Sequence, residues 1–210
     1  MILSAQRVGV MAVGLAMWCA VPATLATQAP NDAAAAARLI DVLQLRAGAV
    51  VADIGAGSGL LTVPIARLVG ATGRVYATDV NPQRLDELRK AATDAALQNV
   101  VVVEGAAAGT SLPDACCDAV FMRFVYHHFG DPPAFNASLL RSLRPGGRLA
   151  VVDFPPTNGR SAPAGSRDSG DAHGVTPATV ADELTAAGFI GVERVDWPSA
   201  AGFLVIARRP

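Results

Sequence analysis

The sequence predicts an α/β fold: a doubly wound, mostly parallel, seven-stranded sheet that ends in an antiparallel hairpin. Three observations carry that prediction. Short apolar or β-branched runs alternate with amphipathic stretches between residues 49 and 187, the rhythm of strand, crossover helix and parallel strand. The first run ends in glycines at alternate positions, Gly55, Gly57 and Gly59, a tight turn that opens straight into a helix. The last two runs, 189–195 and 203–207, are joined by a short link through Trp197-Pro198 and read as a hairpin.

In chain order, Asn31-Asp32 reads as the cap of a helix from Ala33 to Leu45, with Leu39, Ile40 and Leu43 on one face. Gly48 ends the connection, and residues 49–54 form the first strand. Leu60, Leu61, Val63, Ile65, Ala66 and Leu68 then give a buried helix up to Gly70, with Pro64 tolerated in its first turns. Residues 74–79 form the second strand, and Asn81-Pro82 opens a helix through Ala96. The third strand, 99–104, holds four consecutive valines, an apolar run that suits a sheet covered on both faces. Residues 118–122 are the fourth strand, and Asp131-Pro132-Pro133 starts a helix reaching Leu143. The turn Arg144-Pro-Gly-Gly147 leads into the fifth strand, 148–153. Pro155 to Gly174 is dense in Pro, Gly, Ser and Arg and reads as a mobile loop or lid. Thr176-Pro177 begins the last helix, to Ala187.

Of 210 residues, 51% are hydrophobic and 17% charged, the balance of a compact body rather than a disordered chain. The formal net charge is −1 and no Lys/Arg block occurs, which points away from nucleic acid and anionic membrane surfaces as partners. Residues 1–29 have the three parts of a secretory signal peptide or N-terminal anchor. Arg7 is followed by the apolar run Val8 to Val21, then by small residues with cleavage positions after Ala26 or Ala29. The run is shorter than the roughly 20 residues of a spanning helix. The mature chain, whose single domain is expected to span residues 31–210, is therefore expected to hold no stable membrane span. It would be exported (periplasmic or tethered) if the signal operates and cytoplasmic otherwise. Cys116 and Cys117 are adjacent, and neighbours cannot form an ordinary disulfide without straining the peptide between them. They read as two small, half-buried residues leading into a strand, and no metal-ligand spacing occurs.

The glycine turn has its own chemistry. Glycine lets a ligand touch bare backbone, and the helix start offers unpaired N–H groups. Asp53, in the strand just before, would accept from a cationic or hydroxyl-bearing ligand. The site should lie at the carboxyl edge of the sheet, in the loops after Ile54, Asp79, Glu104, Met122 and Asp153. The G-x-G-x-G spacing, with an acid two residues before the first glycine, departs from the dinucleotide fingerprint.

Together these residues resemble the class I S-adenosylmethionine-dependent methyltransferases, over approximately Ala33 to Pro210. Asp53-Ile-Gly-Ala-Gly-Ser-Gly59 is similar to the family's first motif, and Asp79 to its ribose-binding acid. Leu143-Arg-Pro-Gly-Gly147 resembles its recurrent turn after a helix. The resemblance implies a Rossmann-like methyltransferase fold, S-adenosyl-L-methionine as cofactor and a small-molecule acceptor, as in enzymes of ubiquinone biosynthesis and related types. It implies that Gly55, Ala56, Gly57, Ser58 and Gly59 bring backbone to the methionine part of the cofactor, with Asp53 near its ammonium. Asp79 would accept from both ribose hydroxyls. Val80, Gly105 and Ala106 would wall the adenine, and Arg123 would join the cofactor site from the fourth strand. The family's adenine-binding acid is missing: Gly105-Ala106-Ala107 stand in its place, with Glu104 just before.

The segment Arg123-Phe-Val-Tyr-His-His-Phe129 lies where the family places residues facing the transferred methyl. Tyr126, His127 and His128 would position or deprotonate an acceptor, because imidazole titrates near neutrality; His128 is the first choice. The competing reading has one histidine capping the next helix and the other packing against the pocket. His173 would fold over the acceptor or stay solvated, and Asp153 would touch substrate or cap its loop. A base is needed only where the acceptor carries a proton. A functional expectation of another class is a non-catalytic cofactor-binding protein on the same fold, exported as a sensor or interaction partner.

Overall fold

The computed structural model describes residues 23–168, 170–199 and 202–210, with side chains from residue 32 onward save that of residue 171. Most of the expected signal or anchor, residues 1–22, lies outside the described residues. The first helix, α1 (Ala23–Leu43), runs through Asn31-Asp32 instead of starting there. Alanine is the strongest helix former, so the run Ala33 to Ala37 continues a helix as readily as it begins one. Asp32 serves a tertiary role, an ion pair with Arg123 at 2.6 Å.

Strand β1 (Val50–Ile54) is followed by α2 (Thr62–Val69), β2 (Arg74–Asp79), α3 (Pro82–Asp94) and β3 (Val100–Glu104). Then come β4 (Cys117–Arg123), a 3-10 turn (Tyr126–His128), α4 (Pro132–Ser142) and β5 (Leu143–Asp153). A second 3-10 turn (Gly170–Ala172), α5 (Pro177–Ala186), β6 (Ile190–Val195) and β7 (Phe203–Arg208) complete the chain. Three helices start as the sequence predicts, with a capping side chain before a proline that has no N–H to lose. Asn81 accepts from the Gln83 amide at 2.9 Å, Asp131 from Ala134 at 3.0 Å and Thr176 from Thr179 at 3.2 Å.

The sheet order is β3-β2-β1-β4-β5-β7-β6. Only β7 runs against its neighbours, pairing antiparallel with both β5 and β6. From β1 the chain winds outward through β2 and β3, then crosses to β4 on the other side. β1 and β4 therefore flank the switch point, where their outgoing loops diverge and leave a crevice. Side chains alternate between the two faces of β4. Val120 and Met122 join Phe135, Leu139, Val180 and Leu184 of α4 and α5, while Ala119 and Phe121 join Leu39 and Ile65 of α1 and α2.

Several expectations are corrected. The valine run is an edge strand, so Val101 is exposed, because β3 has a neighbour only in β2. Leu60 and Leu68 face solvent: α2 starts two residues after Leu60 and buries Thr62, Ile65, Ala66 and Val69. Cys116 and Cys117 form a vicinal disulfide, at the point where the β4–β5 register shifts between Cys117 and Ala119. The segment 155–174 is tied down rather than loose. Arg167 is buried within it, donating to the Ala162 carbonyl at 2.8 Å and to Glu183 of α5 at 2.6 Å. No helix of the described residues is long and apolar enough to cross a membrane.

Candidate active site

The turn after β1 meets its geometric demands with glycine. Gly55 has φ +67°, and a Cβ there would lie 2.4 Å from Val125 in the loop after β4. Gly57 has φ +56° with nothing within 4 Å of where its Cβ would be, so its backbone faces open space. A cavity of about 240 Å³ opens there, lined by Asp53, Gly55, Ala56, Gly57, Ser58, Leu60, Leu61, Arg84, Arg123 and Phe124. Six of the residues singled out from the sequence thus meet around one space. Gly59 does not line it; it sits behind the turn, against Leu88 of α3.

Asp53 is buried at the end of β1 and accepts from the Thr62 hydroxyl at 2.6 Å. Burial raises its pKa from 3.8 to about 7, against the opposing pull of the Thr62 bond and the Arg123 charge. Asp79, at the end of β2, accepts from the Gly57 amide at 3.0 Å and from the Asn81 amide at 2.9 Å. It therefore both caps its own turn and props the glycine loop open, with lone pairs left on each oxygen for a diol. Gly105 packs on this acid, its amide bonded to the Asp79 carbonyl, and Val80 beside it is exposed. Ala106 pairs in an isolated bridge with Gly109. Asp79, Val80, Gly105 and Ala106 do not line the 240 Å³ cavity. Arg123 lines it while holding Asp32.

The donor set fits an S-adenosylmethionine-like group. Arg123 suits a carboxylate, Asp53 a cation and Asp79 a diol, while the bare backbone of Gly57 leaves room for close approach.

The loop after β4 divides the predicted catalytic residues. Tyr126 is fully buried, its hydroxyl accepting from Asn136 at 2.8 Å, and burial pushes its pKa above the usual phenol value. It belongs to the core and not to the reacting surface, a correction to the sequence expectation. His127 is 2% exposed and Asp153 0%. The His127 Nδ1 lies 2.8 Å from the Asp153 Oδ1, and the His127 amide donates to the other carboxylate oxygen. His128, the first choice from sequence, is exposed; its amide donates to the Val125 carbonyl at 3.0 Å, and its ring has no hydrogen-bond partner among the described residues. Its pKa is lowered, by partial desolvation first and by His127 next. Phe124 bridges the regions: it has φ +61°, is 41% exposed and meets the Phe154 ring at 5.7 Å, which meets His127 at 4.9 Å. No group of three or more metal-ligating side chains is arranged to hold an ion among the described residues.

A second cavity, about 270 Å³, shares Leu60, Arg123 and Phe124 with the first. Asp32, Ala35, Trp197, Pro198 and Ser199 complete its lining. Sequence reasoning missed Trp197 here and missed Asp153 as the partner of His127. The only available signal was that Asp153 ends one sheet strand and Trp197 follows the carboxyl end of another.

Residues 52–151 match the family model of a methyltransferase domain. A ubiquinone/menaquinone biosynthesis C-methyltransferase (UbiE) of Marinomonas sp. is 39% identical over 111 residues, 52% of this chain and 44% of that protein. The corresponding Escherichia coli O1:K1 protein is 35% identical over 116 residues, 55% of this chain and 46% of its own. The chain thus spans about half the length of the curated relatives it matches. Among solved structures, a SAM-dependent methyltransferase from Aquifex aeolicus superposes with a TM-score of 0.72 at 24% identity, covering 90% of this chain and 99% of its own. A possible exported protein from Bordetella parapertussis gives 0.66 at 20% identity, covering 98% and 76%. The structural matches establish the fold.

Proposed function

We propose that this chain is a class I S-adenosylmethionine-dependent methyltransferase that transfers a methyl group from that cofactor to a small, largely apolar acceptor that gives up a proton. The observation carrying this reading is the placement, across the β1–β4 seam, of an open glycine cradle beside a buried carboxylate–imidazole pair. When bound, the cofactor supplies an electrophilic methyl carbon on a sulfonium. The protein's part is alignment and exclusion of water.

Asp53, the open backbone of the glycine cradle and Arg123 would hold the amino-acid end of the cofactor, Asp79 the ribose, and Val80, Gly105 and Ala106 the base. The second cavity supports a flat, apolar acceptor, since Leu60, Phe124, Trp197 and Pro198 line it and it shares a wall with the cradle. His127 and Asp153 give the acceptor's proton a destination, which carbon or oxygen methylation requires and a passive binder does not. The N-terminal pattern supports export or tethering of the chain, checked by the intact mass of the protein recovered from the cell envelope.

Calorimetric titration with S-adenosylmethionine and its demethylated product tests the reading. One-site binding is expected, weakened about 10- to 100-fold in Asp79→Ala, the scale of a lost charge-assisted bond of about 1.5–3 kcal/mol. Folded wild-type protein that binds neither compound would overturn the assignment.

A further inference from the structure

We infer that His173 is a catalytic residue: it is the outward end of a proton relay, Asp153–His127–His173, and takes the proton from an acceptor that extends from the second cavity, which His173 does not line, past the rings of Phe124 and Phe154. This rests on the methyltransferase reading above. His127 and Asp153 are sealed from solvent, so no acceptor reaches them directly. Both Asp153 oxygens already accept backbone N–H groups, from His127 at 3.1 Å and Phe154 at 2.9 Å. Asp153 is thus an acceptor, and the His127 Nδ1 facing it carries hydrogen. In the neutral ring Nε2 is then a bare lone pair, and the atom 3.2 Å from it is the Nε2 of His173. Two lone pairs do not share such a contact, so the His173 Nε2 carries hydrogen and its Nδ1 is left bare. That ring is exposed, with no other hydrogen-bond partner among the described residues. The Nδ1 of His173 is the one basic nitrogen of the relay that a ligand can touch.

The position of His173 is built, although it sits in the segment 155–174. The amides of Gly174 and Val175 bond to the carbonyls of Arg167 and Phe154 at 2.9 and 3.0 Å, and Arg167 is locked to Glu183. The Phe154 ring lies 4.9 Å from both the His127 and His173 rings, walling the pair. His128 is placed differently: its ring packs on His127 at 3.9 Å and bonds to no carboxylate. The charged and titratable groups around the pair are Asp153 from β5, His128 from the 3-10 turn and Asp168 from the segment itself.

The proton balance closes. The acceptor's proton passes to the His173 Nδ1, and the electron pair it leaves forms the new bond to the methyl carbon. The C–S pair stays with sulfur, which becomes neutral. The positive charge now on His173 spreads through the shared Nε2 hydrogen to His127, where Asp153 offsets it.

Carbethoxylation of the full chain by diethylpyrocarbonate, mapped by mass spectrometry, tests the relay because the reagent attacks bare imidazole nitrogens. In wild type, His173 is expected to react severalfold faster than His128. In Asp153→Asn that advantage should vanish while His128 keeps its rate, although residue 153 does not touch His173. His127→Gln, which keeps a polar side chain beside Asp153, should do the same and serves if Asp153→Asn fails to fold. An unchanged His173 rate in a folded variant would overturn the relay, as would preferential modification of His127. Parallel calorimetry separates the two readings. His173→Gln should leave cofactor affinity unchanged, whereas wild type that binds no cofactor sinks the function and not the relay.

Discussion

Asp53 holds a carboxyl group in a place where a carboxylate is costly, and that cost has a consequence for ligand binding. Burial raises its pKa to about 7, so near neutrality a large share of the protein carries a proton there. A cation seated beside Asp53 favours the charged form and lowers the pKa. Binding of the cofactor's ammonium end would therefore expel that proton. The sign follows: below about pH 7 each binding event must remove a proton, so affinity rises with pH, by up to about tenfold per unit, and flattens above. Titration calorimetry from pH 5.5 to 8.5 should show this slope in wild type. Asp53→Asn, which keeps an acceptor for the Thr62 hydroxyl, should give a flat profile. A flat wild-type profile would place the ammonium away from Asp53. The residue type was legible in the sequence, but its protonation was not, because desolvation depends on what packs around the strand end.

Among the elements, the segment between β5 and α5 carries the least secondary structure and the most consequence. Its composition gave the impression of a free lid, since Pro, Gly and Ser offer few contacts of their own. What fixes it is one buried arginine with a partner on a helix sixteen residues on, a pairing that local pattern does not reveal. Arg167→Ala should release the segment at a cost of about 1–3 kcal/mol, since Glu183 stays partly solvated. Limited proteolysis should then cut between residues 155 and 174, while the sheet keeps its circular dichroism. Resistance equal to wild type would mean that other contacts hold the segment. Elements with local causes were legible: three capped, proline-started helices and β2 fall where the sequence places them. Those with distant causes were not. The start of α1 was misread because a cap signal also occurs inside an alanine helix. Tyr126 was misread because its burial depends on Asn136 of α4. The link from Asp153 to His127 spans 26 residues and appears only once β4 and β5 lie side by side.

For the molecule as a whole, the site is a set of loops leaving β1, β2 and β4 at the carboxyl edge of one sheet, braced by the 155–174 segment after β5. A ligand in the cradle touches loops that otherwise share few bonds: Gly57 to Asp79, and Arg123 to Asp32 of α1. Binding should therefore stabilise the folded state without reshaping it. At a cofactor concentration of 100 times Kd the gain is about 2.7 kcal/mol. For a chain of this size that corresponds to a rise in Tm of roughly 5–10 °C. Gly57→Ala distinguishes a true cradle from a chance cavity. A Cβ there meets no protein atom, so the cost to the free protein is only that of a positive φ, about 1–2 kcal/mol. The same methyl would occupy space the cofactor needs. The variant should melt cooperatively a few degrees below wild type and show little or none of the ligand-induced rise in a thermal-shift assay. A full rise in Gly57→Ala would move the cofactor out of the turn after β1.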